Sequence, residues 1–187
     1  MIKRNGILLI LILLNSMTLI SAQGKFFTKS GKITFFSSTP AEDIKATNKS
    51  VAVVLDSKTG EIQFSVLMKG FEFKKGLMQE HFNERYMESH KFPMSEFKGQ
   101  IINNNEISYS KNGIYPATVK GKLTIHGETK EMEAAGSITV KDGNITAHAV
   151  FKVLIADYKI SIPSIVRDNI SRTIKVTVDC QLLLLPQ

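Results

Sequence analysis

Strict two-residue alternation of apolar and polar side chains constrains this chain more than any other feature, because an extended strand with one buried face reads that way. The last such stretch is the most regular. Ile174, Val176, Val178, Cys180, Leu182 and Leu184 fall on one side, with Lys175, Thr177, Asp179 and Gln181 on the other. Val51, Val53 and Leu55 alternate in the same way, and Ile62, Phe64, Val66 and Met68 follow after the turn Asp56-Ser57-Lys58-Thr59-Gly60. Val119, Leu123 and Ile125 share a face opposite Lys120, Lys122 and Thr124. Met132, Ala134, Gly136, Ile138 and Val140 lead into Lys141-Asp142-Gly143-Asn144, a hairpin turn built on an Asp-Gly pair that tolerates positive φ. Ile145, Ala147, Ala149, Phe151 and Val153 return from it.

Strands with one apolar and one polar face belong to an antiparallel sheet wetted on one side. Six to eight of them must stack as two sheets or close into a barrel. The chain therefore reads as one all-β domain. Two segments leave the pattern. Lys75 to His90 predicts a helix, with Met78, Phe82 and Tyr86 at i, i+4 and i+8 beside Leu77, ended by Phe92-Pro93. Asp157 to Arg172, with Pro163 and scattered polar residues, predicts a long loop containing a helical turn.

The inward set contains small residues where a packed sandwich wants volume. Ala134, Gly136, Ala147 and Ala149 sit together on the paired strands of one hairpin. Either they leave a cavity, or bulky neighbours such as Phe35, Phe64 and Phe151 fill the gap. If a cavity exists, its expected lining is Phe35 from the first strand, Val53, Phe64 and Val66 from the next two, and Leu123 and Ile125 from the middle of the chain. Ala134, Ile138, Ala147, Ala149 and Phe151 from the hairpin, with Val176 and Val178 from the last strand, complete it. The Met78, Phe82 and Tyr86 stripe then either gates the mouth or docks the helix.

The N-terminus has the plan of a secretory signal. Lys3 and Arg4 precede an almost unbroken apolar run from Gly6 to Leu14, and Ser21-Ala22 offers a cleavage site before Gln23. The run is shorter than the roughly 20 residues of a membrane span, although an uncleaved anchor reaching Ile20 is the alternative. The expected division is a signal over residues 1–22 and one domain over residues 23–187. The formal charge of +7 includes Lys3 and Arg4. What remains is a mild positive charge, compatible with contact at an anionic membrane surface. It is not the concentrated basic stripe of a nucleic-acid-binding protein. Cys180 is the one cysteine, so an exported form has no internal disulfide and relies on its core. Sequons starting at Asn48, Asn144 and Asn169 read as chance occurrences.

Catalytic patterns are missing: no G-x-S-x-G, no H-E-x-x-H, no phosphate-cradling glycine loop and no paired cysteines. The densest titratable cluster is Glu80-His81, Glu84-Arg85 and Glu88-Ser89-His90. Its expected reading is a solvated acidic row of Glu80, Glu84 and Glu88. An enzyme using Glu80 or His81 is the rival reading, and a structural or adhesive β-domain with a filled core is a third. No metal or cofactor is expected. His126 and His148 fall on the outer faces of expected strands, and Cys180 alternates inward, where a thiol behaves as a small hydrophobe.

Gly121-Lys122-Leu123-Thr124-Ile125-His126-Gly127-Glu128-Thr129-Lys130 resembles the G-x-L-T-I-x-G-x-T-K pattern of the YceI-like family. Met78-Gln79-Glu80-His81, followed by His90-Lys91-Phe92-Pro93 and Phe97, resembles the family's helical segment and its entry to the next strand. Asp157-Tyr158-Lys159-Ile160 resembles its D-[YF]-G-I element, with Lys159 standing where many members have glycine and Ala156 where a polar residue often precedes. The segment from Phe26 to Thr47 lacks the family's usual histidine-containing opening strand. The resemblance implies an extended, lipocalin-like antiparallel β-barrel. It also implies export to the periplasm or beyond, and an interior that holds a polyisoprenoid, an isoprenoid quinone or a similar lipid.

Overall fold

The computed structural model describes residues 24–185, so the expected signal over residues 1–22 lies outside the described part. Nine strands are present among the described residues: β1 Lys25–Ser38, β2 Asp43–Asp56, β3 Glu61–Leu67, β4 Glu72–Phe73, β5 Met94–Ile101, β6 Gly113–Ile125, β7 Glu128–Lys141, β8 Asn144–Leu154 and β9 Thr173–Leu184. Eight of them pair antiparallel in chain order, and β9 pairs back onto β1 to close the ring. The two-residue β4 pairs only with β2, through Ala46 opposite Phe73, and lies outside the ring. The expected eight-stranded, lipocalin-like barrel is what the chain forms. Closure removes the free edges that an open sheet of this length would expose.

Local chemistry sets the turns. Asp142 and Gly143 take φ of 50° and 78°, the left-handed pair of a type I′ hairpin, as the Asp-Gly sequence requires. His126 and Gly127 do the same between β6 and β7, at 50° and 77°. At the β2–β3 turn the Asp56 carboxylate accepts the backbone N–H of Lys58 at 2.9 Å. In β1 a register shift between Thr28 and Gly31 bends the strand, and a side chain at Gly31 would meet Cys180 Sγ at 2.7 Å.

The barrel has two unlike halves. In the closed half, Phe26, Val51, Val53, Leu55, Val140, Ile145, Cys180 and Leu182 are almost wholly buried, while Ile62 and Ile101, equally buried, border the inner chamber described below. Ile107 and Tyr109, from the β5–β6 loop, cap that end. The Tyr109 ring stacks on Phe26 at 6.1 Å and its hydroxyl donates to Asn104 Oδ1 at 2.6 Å. Asn48, whose sequon was read as chance, is fully buried and donates to the Leu67 carbonyl at 2.9 Å. Val53, expected in the lining of a cavity, belongs to this solid half. Alternation correctly turns it inward, but Val53 borders neither chamber even though Phe64, opposite it on β3, does.

The predicted helix over Lys75 to His90 is corrected. An α-helix, α1, spans Gly76–His81 only, and Phe82–Tyr86 continues as one π-helical turn. The Met87 N–H reaches back five residues to the Phe82 carbonyl at 2.8 Å, and the Ser89 N–H reaches the Asn83 carbonyl at 2.7 Å. The Asn83 side chain donates to the Gln79 carbonyl at 2.9 Å and accepts from Ser89 Oγ at 2.8 Å. These polar ties, with burial of Met87, outweigh continuation of a regular helix. Glu88 then takes φ of 43° and turns the chain. The expected acidic row of Glu80, Glu84 and Glu88 therefore does not exist, since Glu88 points back to the barrel. The loop after β8 contains two 3₁₀ turns, Ile155–Tyr158 and Ser164–Asn169.

Candidate functional site: a two-chambered apolar cavity

The other half of the barrel is hollow. An outer chamber of about 450 Å³ lies at its open end, and an inner chamber of about 100 Å³ lies deeper. Ile33, Val66, Ser95, Leu123 and Phe151 line both, so the two chambers abut. Of the residues expected in the lining, Phe35, Val66, Leu123, Ile125, Phe151 and Val176 border the outer chamber. Phe64, Ala134, Ile138, Ala147, Ala149 and Val178 border the inner one, together with Gly136. Register explains the narrowness of the inner chamber's small-residue wall. Gly136 faces Ala149 across β7 and β8, and Ala147 faces Cys180 across β8 and β9.

The mouth is built from two segments outside the ring of strands. Met78, His81, Phe82, Tyr86 and Met87 come from α1 and the π turn, while Ile160, Ile162, Val166 and Ile170 come from the β8–β9 loop. Phe82 belongs to an aromatic cluster with Phe35 at 5.4 Å, Phe71 at 5.6 Å and Phe73 at 5.0 Å. Thus the Met78, Phe82 and Tyr86 stripe both docks its segment and walls the chamber. Phe71, Ile162 and Ile170 sit in connections, where alternation carries no signal, and Phe73 sits in β4, whose two residues are too few to show it. Phe71 and Phe73 flanking Glu72 was the one clue available.

Polar groups along the wall are few and mostly partnered. Ser95 Oγ donates to Met68 Sδ at 3.0 Å, and Ser37 Oγ accepts the Ser171 N–H at 2.9 Å. At the rim, Lys75 and Glu42 pair at 3.2 Å. Glu80 is exposed while His81 lines the chamber, so the two neighbours meet different surroundings. Among the described residues no group of three His, Cys, Asp or Glu side chains is placed to hold a metal ion.

The glycine-rich signature of β6 and β7 has a physical reading. Gly121 faces Gly99 of β5, and a Cβ on Gly121 would lie 2.4 Å from both Gly99 Cα and the Lys98 carbonyl. Two strands cross there at a separation no side chain allows. Leu123 and Ile125 face the cavity, Gly127 supplies the left-handed turn residue, and the Thr124 and Thr129 hydroxyls bond at 2.8 Å across the hairpin. His126, expected on an outer face, instead sits in the turn with its side chain only 11% exposed. Its Nε2 lies 3.0 Å from the Glu88 carboxylate, its Nδ1 3.2 Å from the Tyr158 carbonyl, and Phe92 packs on its ring at 4.5 Å. Both of these oxygens are acceptors for a ring N–H. Hydrogen bonds from Lys91 and His126 hold the Glu88 carboxyl below the usual carboxylate range. One turn residue thus ties together the two mouth segments. His148 does lie on the outside, 2.7 Å from Asp179.

Lys159, at the position where the resembling element carries glycine, takes φ of 53°. Its ammonium reaches Glu128 Oε1 at 2.7 Å, a contact that holds the Glu128 carboxyl low. That ion pair offsets part of the cost of a left-handed lysine.

A closed antiparallel barrel, solid at one end and hollow and apolar at the other, defines a lipocalin-like protein of the interior-cavity kind. The chain belongs to the YceI-like domain family, whose model matches residues 14–182. No curated protein matches the chain significantly. Among solved structures it is similar to a polyisoprenoid binding domain from Saccharophagus degradans implicated in plant cell wall breakdown. That match has a TM-score of 0.76 and 11% identity, over 87% of this chain and 99% of the other. It is also similar to Burkholderia cenocepacia BcnA, at TM-score 0.67 and 14% identity over 81% of this chain and 95% of the other. A Campylobacter jejuni YceI protein aligns at TM-score 0.55 and 17% identity, over 74% of this chain and 81% of that one. At these identities the likeness is one of fold.

Proposed function

We propose that the protein is an exported carrier or buffer for a long apolar ligand, a polyisoprenoid, an isoprenoid quinone or a similar lipid, and that it catalyses no reaction. The observation that carries this reading is the pair of abutting apolar chambers, open at one end and walled by aliphatic and aromatic side chains from strands and mouth segments. The polyisoprenoid binding domain that shares the fold supports the choice of ligand class. Export follows from Lys3, Arg4 and the apolar run to Leu14.

Energetics favour a carrier over a tight receptor. Burying one five-carbon isoprene unit is worth roughly 4 kcal/mol relative to water, at ~0.8 kcal/mol per carbon. Several units would exceed the ceiling of about 18–21 kcal/mol for non-covalent binding. A long lipid is never free in water, however; its reference state is a bilayer, and transfer from there into an apolar chamber is close to neutral per carbon. Loading and release are then both accessible, and selectivity comes from chamber length.

Solvent extraction of the purified protein followed by mass spectrometry tests this reading. Co-purified lipid with a long unbranched or prenyl chain is the expected result. A protein that emerges free of lipid, and takes up none from loaded vesicles, is a structural domain instead. N-terminal sequencing of native protein should begin near Gln23; an intact Met1 in the cytosol would refute export.

A further inference from the structure

We infer that the cavity is a chain-length gauge, which encloses a prenyl chain of about four isoprene units and rejects longer ones. This deepens the proposed carrier reading and rests on it. The lining runs in strand order from one chamber into the other. On β8, Ala147 and Ala149 border the inner chamber, Phe151 borders both, and Val153 borders the outer one. On β6, Ala117 and Val119 are inner, Leu123 is shared and Ile125 is outer. On β9, Val178 is inner, while Val176 and Ile174 are outer. All three strands agree, so the chambers are successive lengths of one channel along the barrel.

The channel is closed at its deep end. On β7 the lining stops at Ile138, and Val140, next on that face, borders neither chamber. On β8 it stops at Ala147 before Ile145, and on β9 at Val178 before Cys180. Val140, Ile145 and Cys180 are almost wholly buried, so side chains fill what would be the continuation of the channel. Tyr109, stacked on Phe26, caps that end. A chain that enters by the mouth therefore stops there and cannot thread through.

Capacity follows from volume and, separately, from length. A cavity of about 150 Å³ takes up one benzene ring, which sets a scale of roughly 25 Å³ per carbon. On that scale the outer chamber of about 450 Å³ holds roughly 18 carbons and the inner one of about 100 Å³ roughly four. Together they hold about four isoprene units, the last of them against Ala134, Ala147 and Ala149. Length agrees. From Ala117 to Ile125, β6 advances roughly 20 Å along the barrel axis, at ~3.4 Å per residue and a tilt of ~40°. Four isoprene units carry about 16 main-chain carbons, which at ~1.5 Å per bond zigzag across roughly 20 Å. A further unit would stand outside the mouth in water, where each carbon left unburied costs a roughly fourfold loss of binding.

The test offers the purified, lipid-stripped protein phosphatidylcholine vesicles that carry equal amounts of prenyl alcohols of three, four, six and nine isoprene units. Uncharged alcohols are the probe because Lys75, the lysine in the lining, is already paired with Glu42 at 3.2 Å. The protein is then separated from the vesicles and its extract analysed by mass spectrometry. Three and four units should be recovered, and six and nine should fall below them by roughly a hundredfold or more. Ala134→Leu and Ala135→Leu add the same bulk at adjacent residues of β7 that face opposite ways, since Ala134 is buried in the inner chamber wall and Ala135 is exposed. The first should lower recovery of the four-unit alcohol roughly tenfold or more and leave three units unchanged, because three units fit the outer chamber alone. The second should change neither. If Ala134→Leu does not fold, the length series on the unsubstituted protein decides by itself. Recovery of nine units on a par with four overturns the gauge and leaves the carrier standing. So does a folded Ala134→Leu variant that recovers four units as well as Ala135→Leu does. Recovery of no alcohol at any length refutes the carrier, and the gauge with it.

Discussion

Ala149→Phe separates an open chamber from a filled core. Ala149 lies on β8, facing Gly136 on β7 and Val178 on β9, in the wall of the inner chamber of about 100 Å³. In a filled core the added ring would force neighbours off their rotamers at ~1–3 kcal/mol or more. Here the inner chamber receives it, and burying an aromatic side chain returns about 1.5–3 kcal/mol. Ordering the ring within a chamber of only about 100 Å³ offsets most of that gain, so lipid-stripped variant and lipid-stripped wild type should agree within about 1 kcal/mol. That corresponds to roughly 2–4 °C in melting temperature for a chain of this size. The lipid, in contrast, loses the deep end of its channel. Mass spectrometry of extracts should show much less lipid, or a shift to shorter chains. Val53→Phe, the same kind of enlargement in the solid half, should lose stability by more than 1–3 kcal/mol. A large loss of stability in Ala149→Phe with unchanged lipid would place the ligand away from β7 and β8 and refute the reasoning.

Lys159→Gly should raise stability by about 0.5–1 kcal/mol, because relief of a left-handed lysine outweighs loss of an exposed ion pair to Glu128; a drop in melting temperature would mean the pair dominates. Gly121→Ala should cost at least ~2 kcal/mol, read by urea unfolding, since its methyl would fall 2.4 Å from backbone atoms of β5; a neutral result would mean β5 and β6 separate freely. Burial pushes the Cys180 thiol up to about 11 from 9.0 and the Tyr109 hydroxyl up to about 12 from 10.0. A folded pKa above the unfolded one gives stability that is complete below the unfolded value and is lost as pH rises. The loss should run from pH 9 to 11 for Cys180 and from 10 to 12 for Tyr109, each roughly 2–3 kcal/mol. Cys180→Ala and Tyr109→Phe should flatten those limbs in alkaline melting curves, and a limb left unchanged would refute the assignment.

What could be read from the sequence divides along a physical line. Alternation reports which face of a strand is buried, and it placed Val178, Cys180 and Leu182 inward, as the structure has them. It does not report which inward side chains border a cavity. Val53 and Val66 therefore look alike in sequence, yet one packs the solid half and the other lines both chambers. That depends on register, and register here depends on the β1 bulge at Gly31 and on the Gly99–Gly121 crossing, neither of which has a hydrophobic period. The mouth was harder still. Phe82 was singled out by helical spacing, but the helix it implied breaks at His81. The stripe survives because Phe82 has three aromatic partners to hold it, not because the backbone stays regular. His126 shows the same limit from the polar side. Its neighbours in sequence place it at a strand end, while Glu88 and Tyr158, 38 and 32 residues away along the chain, decide its role. A short motif reveals such a residue when the constraint is local, as with Gly127. It conceals the residue when the constraint arrives from distant segments, and the mouth of this cavity is assembled almost entirely from constraints of that second kind.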